Sequence, residues 1–153
     1  IDPDLSAVSG VEKAYWVIEG DDTIREATTV EKATIDAARL QELKDEKNAE
    51  IDERSTQLID QGFVFESNTF SLSLQAQNNI HSILIFGSSM TFPLCVSTKD
   101  DKEFSLTSLV HAQQFAGTAL ATAQAHLDSG RALRNQVNAA TTRAAIDAVE
   151  DNR

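Results

Sequence analysis

Gly62–Ile80 reads GFVFESNTFSLSLQAQNNI, and its reading decides the fold because it separates two long runs of helical character. Phe63-Val64-Phe65 is rich in strand formers, and Gly62 supplies the left-handed residue on which helices often end. A two-residue turn at Ser67-Asn68 places Phe65 opposite Phe70 and Phe63 opposite Leu72, all on one face, with Val64 and Ser71 on the other. Ser-Asn is a weaker turn signal than Asn-Gly, so a longer loop in a shifted register stays open. Two strands alone are barely stable in water, and the aromatic face therefore requires a helix over it.

Upstream, Thr28-Thr29-Val30-Glu31 has the spacing of a capping box, in which a threonine oxygen and the glutamate each satisfy an orphan N–H of a starting helix. Apolar residues Ala33, Ala37, Leu40, Ile51 and Leu58 recur at helical steps, and no glycine or proline intervenes before Gly62. This predicts one helix of about eight or nine turns. Its stretch from Leu43 to Arg54 is charge-rich and reads as a solvated face, with Glu50 and Arg54 oriented to pair. Before the helix, Ala14–Ile18 (AYWVI) and Thr23–Glu26 flank the turn residues Gly20-Asp21-Asp22, a second small hairpin. Residues 1–11 are small, polar and broken by Pro3 and Gly10, the pattern of a linker or arm.

Downstream, Ser73 caps a helix over Leu74–Leu84 or slightly further, with Leu74, Ile80, Ile83 and Leu84 as its apolar face. Gly87-Ser88-Ser89 closes it as a plain loop. Thr91–Ser97 and Glu103–Leu106 flank the polar turn Lys99-Asp100-Asp101-Lys102 and form a third hairpin, in which Pro93 marks a short or edge strand. Thr107 or Ser105 then caps the last long helix. Its stripe of Leu109, Ala112, Ala116, Ala119, Ala123, Leu127, Gly130, Arg134 and Val137 is nearly heptad, widened by Phe115, Leu120 and Leu133. Small residues there admit a close antiparallel partner, the first long helix. Thr141-Thr142 offers a further cap, before a tail whose Ile146 and Val149 either dock or hang free.

A chain of 153 residues is long enough for a single core. A formal charge of −11 repels phosphates and anionic headgroups, against nucleic-acid binding. The longest aliphatic run, Ile83–Phe86, is too short for a bilayer span, and the first residues lack the basic and apolar regions of a signal peptide. The chain reads as soluble, and Ile1 in place of methionine suggests a piece cut from a longer polypeptide. Cys95 has no partner for an internal disulfide and reads as a small buried hydrophobe.

Chemistry is sparse. His81, His111 and His126 have no ligand at the spacing of a helix-borne metal site; the two on the last helix read as surface histidines with ordinary hydrogen bonds. Nucleophile elbows, phosphate loops and dinucleotide fingerprints do not occur in the sequence. The carboxylates lie on the charged helix face or in turns such as Asp21-Asp22 and Asp100-Asp101, where water keeps their acidities ordinary. Neither Asp pair has the spaced oxygens of a calcium loop. Tyr15 and Trp16 are candidates for a surface anchor, against the commoner fate of packing residues. The expectation is a non-enzyme without cofactor or metal.

The order of these elements resembles an uncharacterised domain of tailed-phage tail-fibre and other tail structural proteins. The likeness is carried by the aromatic strand, turn and "EK…DAA" helix of AYWVIEGDDTIREATTVEKATIDAARLQELKDEKNAEIDER, by the hairpin in IDQGFVFESNTFSLSLQAQNNI, and by the closing helix HAQQFAGTALATAQAHLDSGRALRNQVNAATT. It covers Tyr15 to Thr142. The resemblance implies a virion component, made in the host cytoplasm and placed in the tail, whose partners are other tail proteins. It implies no catalytic residues.

The reading as a whole is α+β, mainly helical: a long antiparallel helical hairpin carrying two or three small β-hairpins. Residues 1–13 are expected as a linker or arm, 14–142 as a single domain and 143–153 as a helical tail. The expected interaction residues are Tyr15, Trp16, Leu109, Ala116, Ala123, Leu127 and Val137, with the last long helix forming a homo-oligomer unless its stripe is consumed inside one chain. A host-surface recognition module and a fibre-assembly chaperone are the alternatives.

Overall fold

The computed structural model describes residues 5–19 and 23–153. Among them are four α-helices and three two-stranded antiparallel sheets, so the protein is α+β and mainly helical. The chain divides into two compact units, Ile1–Lys47 with Val137–Glu150 and Asn48–Gln136 with Asp151–Arg153.

In the first unit, β1 (Trp16–Glu19) pairs with β2 (Thr23–Glu26), Trp16 opposite Glu26 and Glu19 opposite Thr23. The Gly20-Asp21-Asp22 turn expected between them lies outside the described residues. The strand starts at Trp16 rather than Ala14 because Lys13–Tyr15 form a 3-10 turn. The expected arm is in part a packed element: Ser6–Val8 make another such turn, and Val8 is buried. The buried side chain acts together with backbone bonds within the segment and with the Trp16 Nε1–H donated to Val11 O at 3.0 Å.

The helix α1 (Thr29–Gln61) begins as the capping box requires. The Thr28 N–H donates to Glu31 Oε2 at 2.7 Å, and the Glu31 N–H donates to Thr28 Oγ1 at 3.3 Å. Arg25 reaches the same carboxylate with two N–H groups at 2.7 and 2.9 Å. The Arg25 guanidinium, followed by the Thr28 donors, lowers the pKa of Glu31 to about 2, so this carboxyl does not keep the ordinary acidity expected of the helix's carboxylates. Because the folded value is depressed, this contribution is complete above the unfolded carboxylate range and is lost as pH falls toward 2. Thr28→Ala, which removes the cap oxygen, is expected to cost about 1 kcal/mol in urea unfolding.

The apolar stripe of α1 differs from the expected one at its start, where Ala33 and Ala37 are exposed. Methyl-sized side chains gain little from burial, and the helix turns longer residues inward instead. The carboxy-terminal segment docks. In α4 (Arg143–Asp147) the Thr142 hydroxyl accepts from the Ala145 N–H at 3.2 Å, and Ile146 and Val149 are buried.

The second unit carries the aromatic hairpin. Gly62 ends α1 with φ +86°, and β3 (Phe63–Phe65) pairs with β4 (Asn68–Phe70). The register differs from that expected: Phe63 faces Phe70 and Phe65 faces Asn68, around a turn at Glu66-Ser67 rather than Ser67-Asn68. Both turn residues have positive φ, 45° and 64°, the type I′ geometry whose twist matches the strands. The Asn68 side chain supports it by donating to Glu66 O at 2.9 Å. The difference moves each cross-strand partner by two positions, which leaves the faces unchanged. Phe63, Phe65, Phe70 and Leu72 still share one side.

That side is covered by α3 (Leu109–Ala139). The Phe115 ring centroid lies 5.1 Å from Phe63, 5.5 Å from Phe65 and 4.9 Å from Phe70, the last two edge-on. Ile80 and Ile83 of α2 (Leu74–Phe86) complete the core with Leu106, Ala112, Ala116 and Ala119. The cap of α3 is Ser108 rather than Thr107 or Ser105, its hydroxyl accepting from the His111 N–H at 3.2 Å. The third sheet joins β5 (Leu94–Ser97) to β6 (Glu103–Leu106), with Pro93 just before it.

In this unit α1 and α3 run antiparallel, since Asp52 pairs with Arg134 and Ser55 adjoins Gly130. Arg153 seals the pair. Its guanidinium donates to Ser55 Oγ at 3.0 Å, to Ile51 O at 3.1 Å and to His126 O at 3.2 Å, and it binds Asp151 at 2.8 Å. Arg153 holds the Asp151 carboxyl below its ordinary range. Gly130 makes room for this, because a Cβ there would lie 2.6 Å from Ser55 Oγ and 2.9 Å from the guanidinium.

Candidate interaction surface

From Ser67 to Thr98 the sequence contains no Asp, Glu, Lys or Arg, although the chain is 24% charged. This run folds into β4, α2 and β5. Ser73 starts α2 by accepting from the Ala76 N–H at 3.3 Å, and the helix turns Ile80 and Ile83 inward. Its other apolar residues face out. Leu74 is 76% exposed, Leu84 40%, Ile85 68% and Phe86 58%, which corrects the expected apolar face at Leu74 and Leu84. The core under α2 is narrow, and two isoleucines fill it.

Between α2 and β5 lies a cleft of about 480 Å³. Phe70, Phe115, Ile80 and Ile83 give it an apolar lining, Asn79 and Ser82 contribute polar groups from α2, and all four residues of β5 reach it. Since those four come from both side-chain faces of the strand, the cleft runs along the strand's edge. Cys95 stands on this surface exposed, not buried as expected, with its sulfur 3.9 Å from Ser105 Oγ. Strand alternation turns Leu94 and Val96 toward the core and leaves Cys95 outside.

The other candidate residues are dispersed. The Tyr15 hydroxyl donates to Asp36 at 2.6 Å, which raises its pKa, and Lys32 and Arg39 lie over its ring. Trp16 is half-buried and donates from Nε1 to Val11 O at 3.0 Å. Ala116 and Val137 are completely buried, Ala123 packs against the core, and Leu109 is half-buried beside Gly87. Only Leu127, 44% exposed, is open among the α3 candidates. Most of the small-residue stripe is therefore consumed inside the chain.

His111 forms the most ordered polar group near the aromatic core. The Thr107 N–H donates to its Nδ1 at 3.3 Å, so Nε2 carries the proton toward Glu66 Oε1 at 3.1 Å. Phe65 and Phe104 flank the ring at 5.4 and 5.9 Å. The Thr107 hydroxyl also lies 3.3 Å from Nδ1, but none of these three residues lines the cleft, and the arrangement ties the hairpin turn to the start of α3. In the β5–β6 turn, Lys102 and the Thr98 hydroxyl lower Asp100 to about 2, contrary to the ordinary acidity expected there. Among the described residues no three His, Cys, Asp or Glu side chains group as metal ligands, and no helix is long and apolar enough to cross a membrane.

The sequence signal for this surface is the absence of charge over a long run, which periodicity does not weigh. No curated protein and no solved structure matches the chain. A family model does match residues 42–150, which take in most of α1, the aromatic hairpin, the charge-free surface and α3. The chain belongs to the family described as Domain of unknown function (DUF4376).

Proposed function

We propose that this chain is a non-enzymatic structural or adaptor component of a bacteriophage virion, in the tail or tail fibre, acting through protein–protein assembly. The observation that carries the assembly reading is the charge-free surface with Leu84, Ile85 and Phe86 exposed in sequence on α2. Interface centres are depleted of charge and enriched in aromatic and apolar residues, and contiguous exposed apolar groups on a monomer mark contact sites. The acidic remainder keeps the chain in solution. The phage setting rests on the order of elements from Tyr15 to Thr142. Recognition of a host surface through Tyr15 and Trp16 has less support, because the polar atom of each is already engaged within the chain.

Mass spectrometry of gradient-purified phage particles tests this reading, with the chain expected in constant ratio to the major tail proteins. A chain present in infected cells but missing from particles refutes the structural role and favours a chaperone. The doubly substituted Ile85→Asp, Phe86→Asp chain should fold, since both side chains are exposed, and should be lost from particles by about 10-fold or more. Normal incorporation of that variant removes the surface from the assembly.

A further inference from the structure

We infer that the charge-free surface joins two copies of this chain, through antiparallel pairing of β5 with the β5 of a second copy across a two-fold axis at Val96. The inference rests on the assembly reading and names its partner.

The argument begins with the backbone groups of β5. The Thr98 N–H donates to Lys102 O at 2.8 Å, and hydrogen-bonded pairs in an antiparallel ladder recur at every second residue. Val96–Phe104 and Leu94–Leu106 are then the bonded pairs, so the N–H and C=O of Cys95 and Ser97 point away from β6. They point along the cleft edge. Protein edges of this kind are normally guarded by lysine, by a bulge or by a covering segment. From Leu94 to Thr98 there is no charged residue, and both outward side chains, Cys95 and Ser97, are exposed.

A second β5 fits this edge in one register. With Cys95 opposite Ser97 of the other copy, and the reverse, all four outward N–H and C=O pairs bond, and the two Val96 residues meet on the axis. The pairing cannot extend further at either end. Pro93 has no N–H, and the Lys99 N–H is already donated to Thr69 O at 2.8 Å. The open edge is therefore as long as a self-complementary strand needs and no longer. Charge selects the occupant. Two copies each carrying −11 repel except where their surfaces are neutral, whereas a basic partner would be drawn to the acidic surface elsewhere. A neutral face on a strongly acidic chain suits contact with its own kind. Phe70, Ile80, Ile83 and Phe115, which line the cleft, add apolar area beside the paired strands.

Sedimentation equilibrium and disulfide trapping test the inference. The wild-type chain should form a dimer, and Ser97→Cys, with Cys95 retained, should yield a reducible covalent dimer under mild oxidation. The opposed positions would lie about 5.5 Å apart at Cα, within disulfide reach. In the wild type the two Cys95 residues are diagonal at about 8 Å, so oxidation should not link them. Ser97→Pro removes only an outward N–H from each copy and should weaken the dimer about 30-fold. Cys95→Lys, which places a charge on the edge without touching the core, should abolish it even if the proline variant fails to fold. A monomeric wild type, a dimer indifferent to Cys95→Lys, or a Ser97→Cys chain that does not cross-link overturns the inference. A cleft found occupied by a different tail protein in particles does the same. None of these outcomes alters whether the chain is present in virions, so the two readings fail separately.

Discussion

Gly62→Val is expected to destabilise the chain by about 4 kcal/mol, the sum of a left-handed backbone penalty and a steric one. Gly62 sits at φ +86°, and a Cβ built there lies 2.0 Å from the carbonyl oxygen of Phe70. The obstacle is backbone in the partner strand, so no rotamer change relieves it. The hairpin would have to part from the end of α1 and take Phe63 and Phe70 out of the core. Urea unfolding followed by circular dichroism reads the loss. Gly117 is the internal control: it lies in α3 with nothing within 4 Å of its built Cβ, and Gly117→Ala should stabilise by about 0.5–1 kcal/mol through helix propensity alone. If both substitutions cost the same, crowding at Gly62 is not the cause.

Phe115→Ala should cost about 3–5 kcal/mol, the range for truncating a buried aromatic that leaves a cavity its neighbours cannot close. Three phenylalanines converge on this ring within 5.5 Å, and two of those contacts are edge-on, a geometry that adds to the area term. Phe115→Leu keeps most of the volume and should lose less than half as much. Thermal unfolding of the two variants separates volume from ring geometry. A Phe115→Ala chain with an unchanged midpoint would show that the hairpin is not held by α3.

Local signals are legible in the amino-acid order. Thr28 and Glu31 announce their reciprocal cap, Ser73 and Thr142 theirs, and Gly62 its left-handed stop, because each acts on backbone groups three or four residues away. The aromatic side of the hairpin is legible too, since an error of two positions in partner preserves the pleat. The turn itself is not, because Glu66-Ser67 has no strong propensity for positive φ and gains it from the strands it joins. The cap of α3 falls to Ser108, whose hydroxyl accepts from the His111 N–H, where Thr107 and Ser105 offer the same chemistry one and three residues earlier.

The candidate surface is less legible. Apolar periodicity in α2 marks Leu74, Ile80, Ile83 and Leu84 alike, and it does not say that only the two isoleucines are covered. Residue type alone buries Cys95, although alternation along β5 decides its side once Leu94 and Val96 are drawn inward. The α3 stripe raises the opposite question, whether its small residues serve a neighbour or the chain itself, and Ala116 and Val137 at zero exposure show them spent inside.

The amino-acid order by itself determined the helices, the three hairpins, most of their starts and stops, and which side of the aromatic ribbon is apolar, because these follow from interactions within a few residues. Only the tertiary structure decided which apolar residues stay dry, how Arg153 closes on Ser55 and Ile51, and that an uncharged strand edge lies open beside α2. Burial depends on segments far apart in sequence competing for one limited interior, and that competition has no local signature.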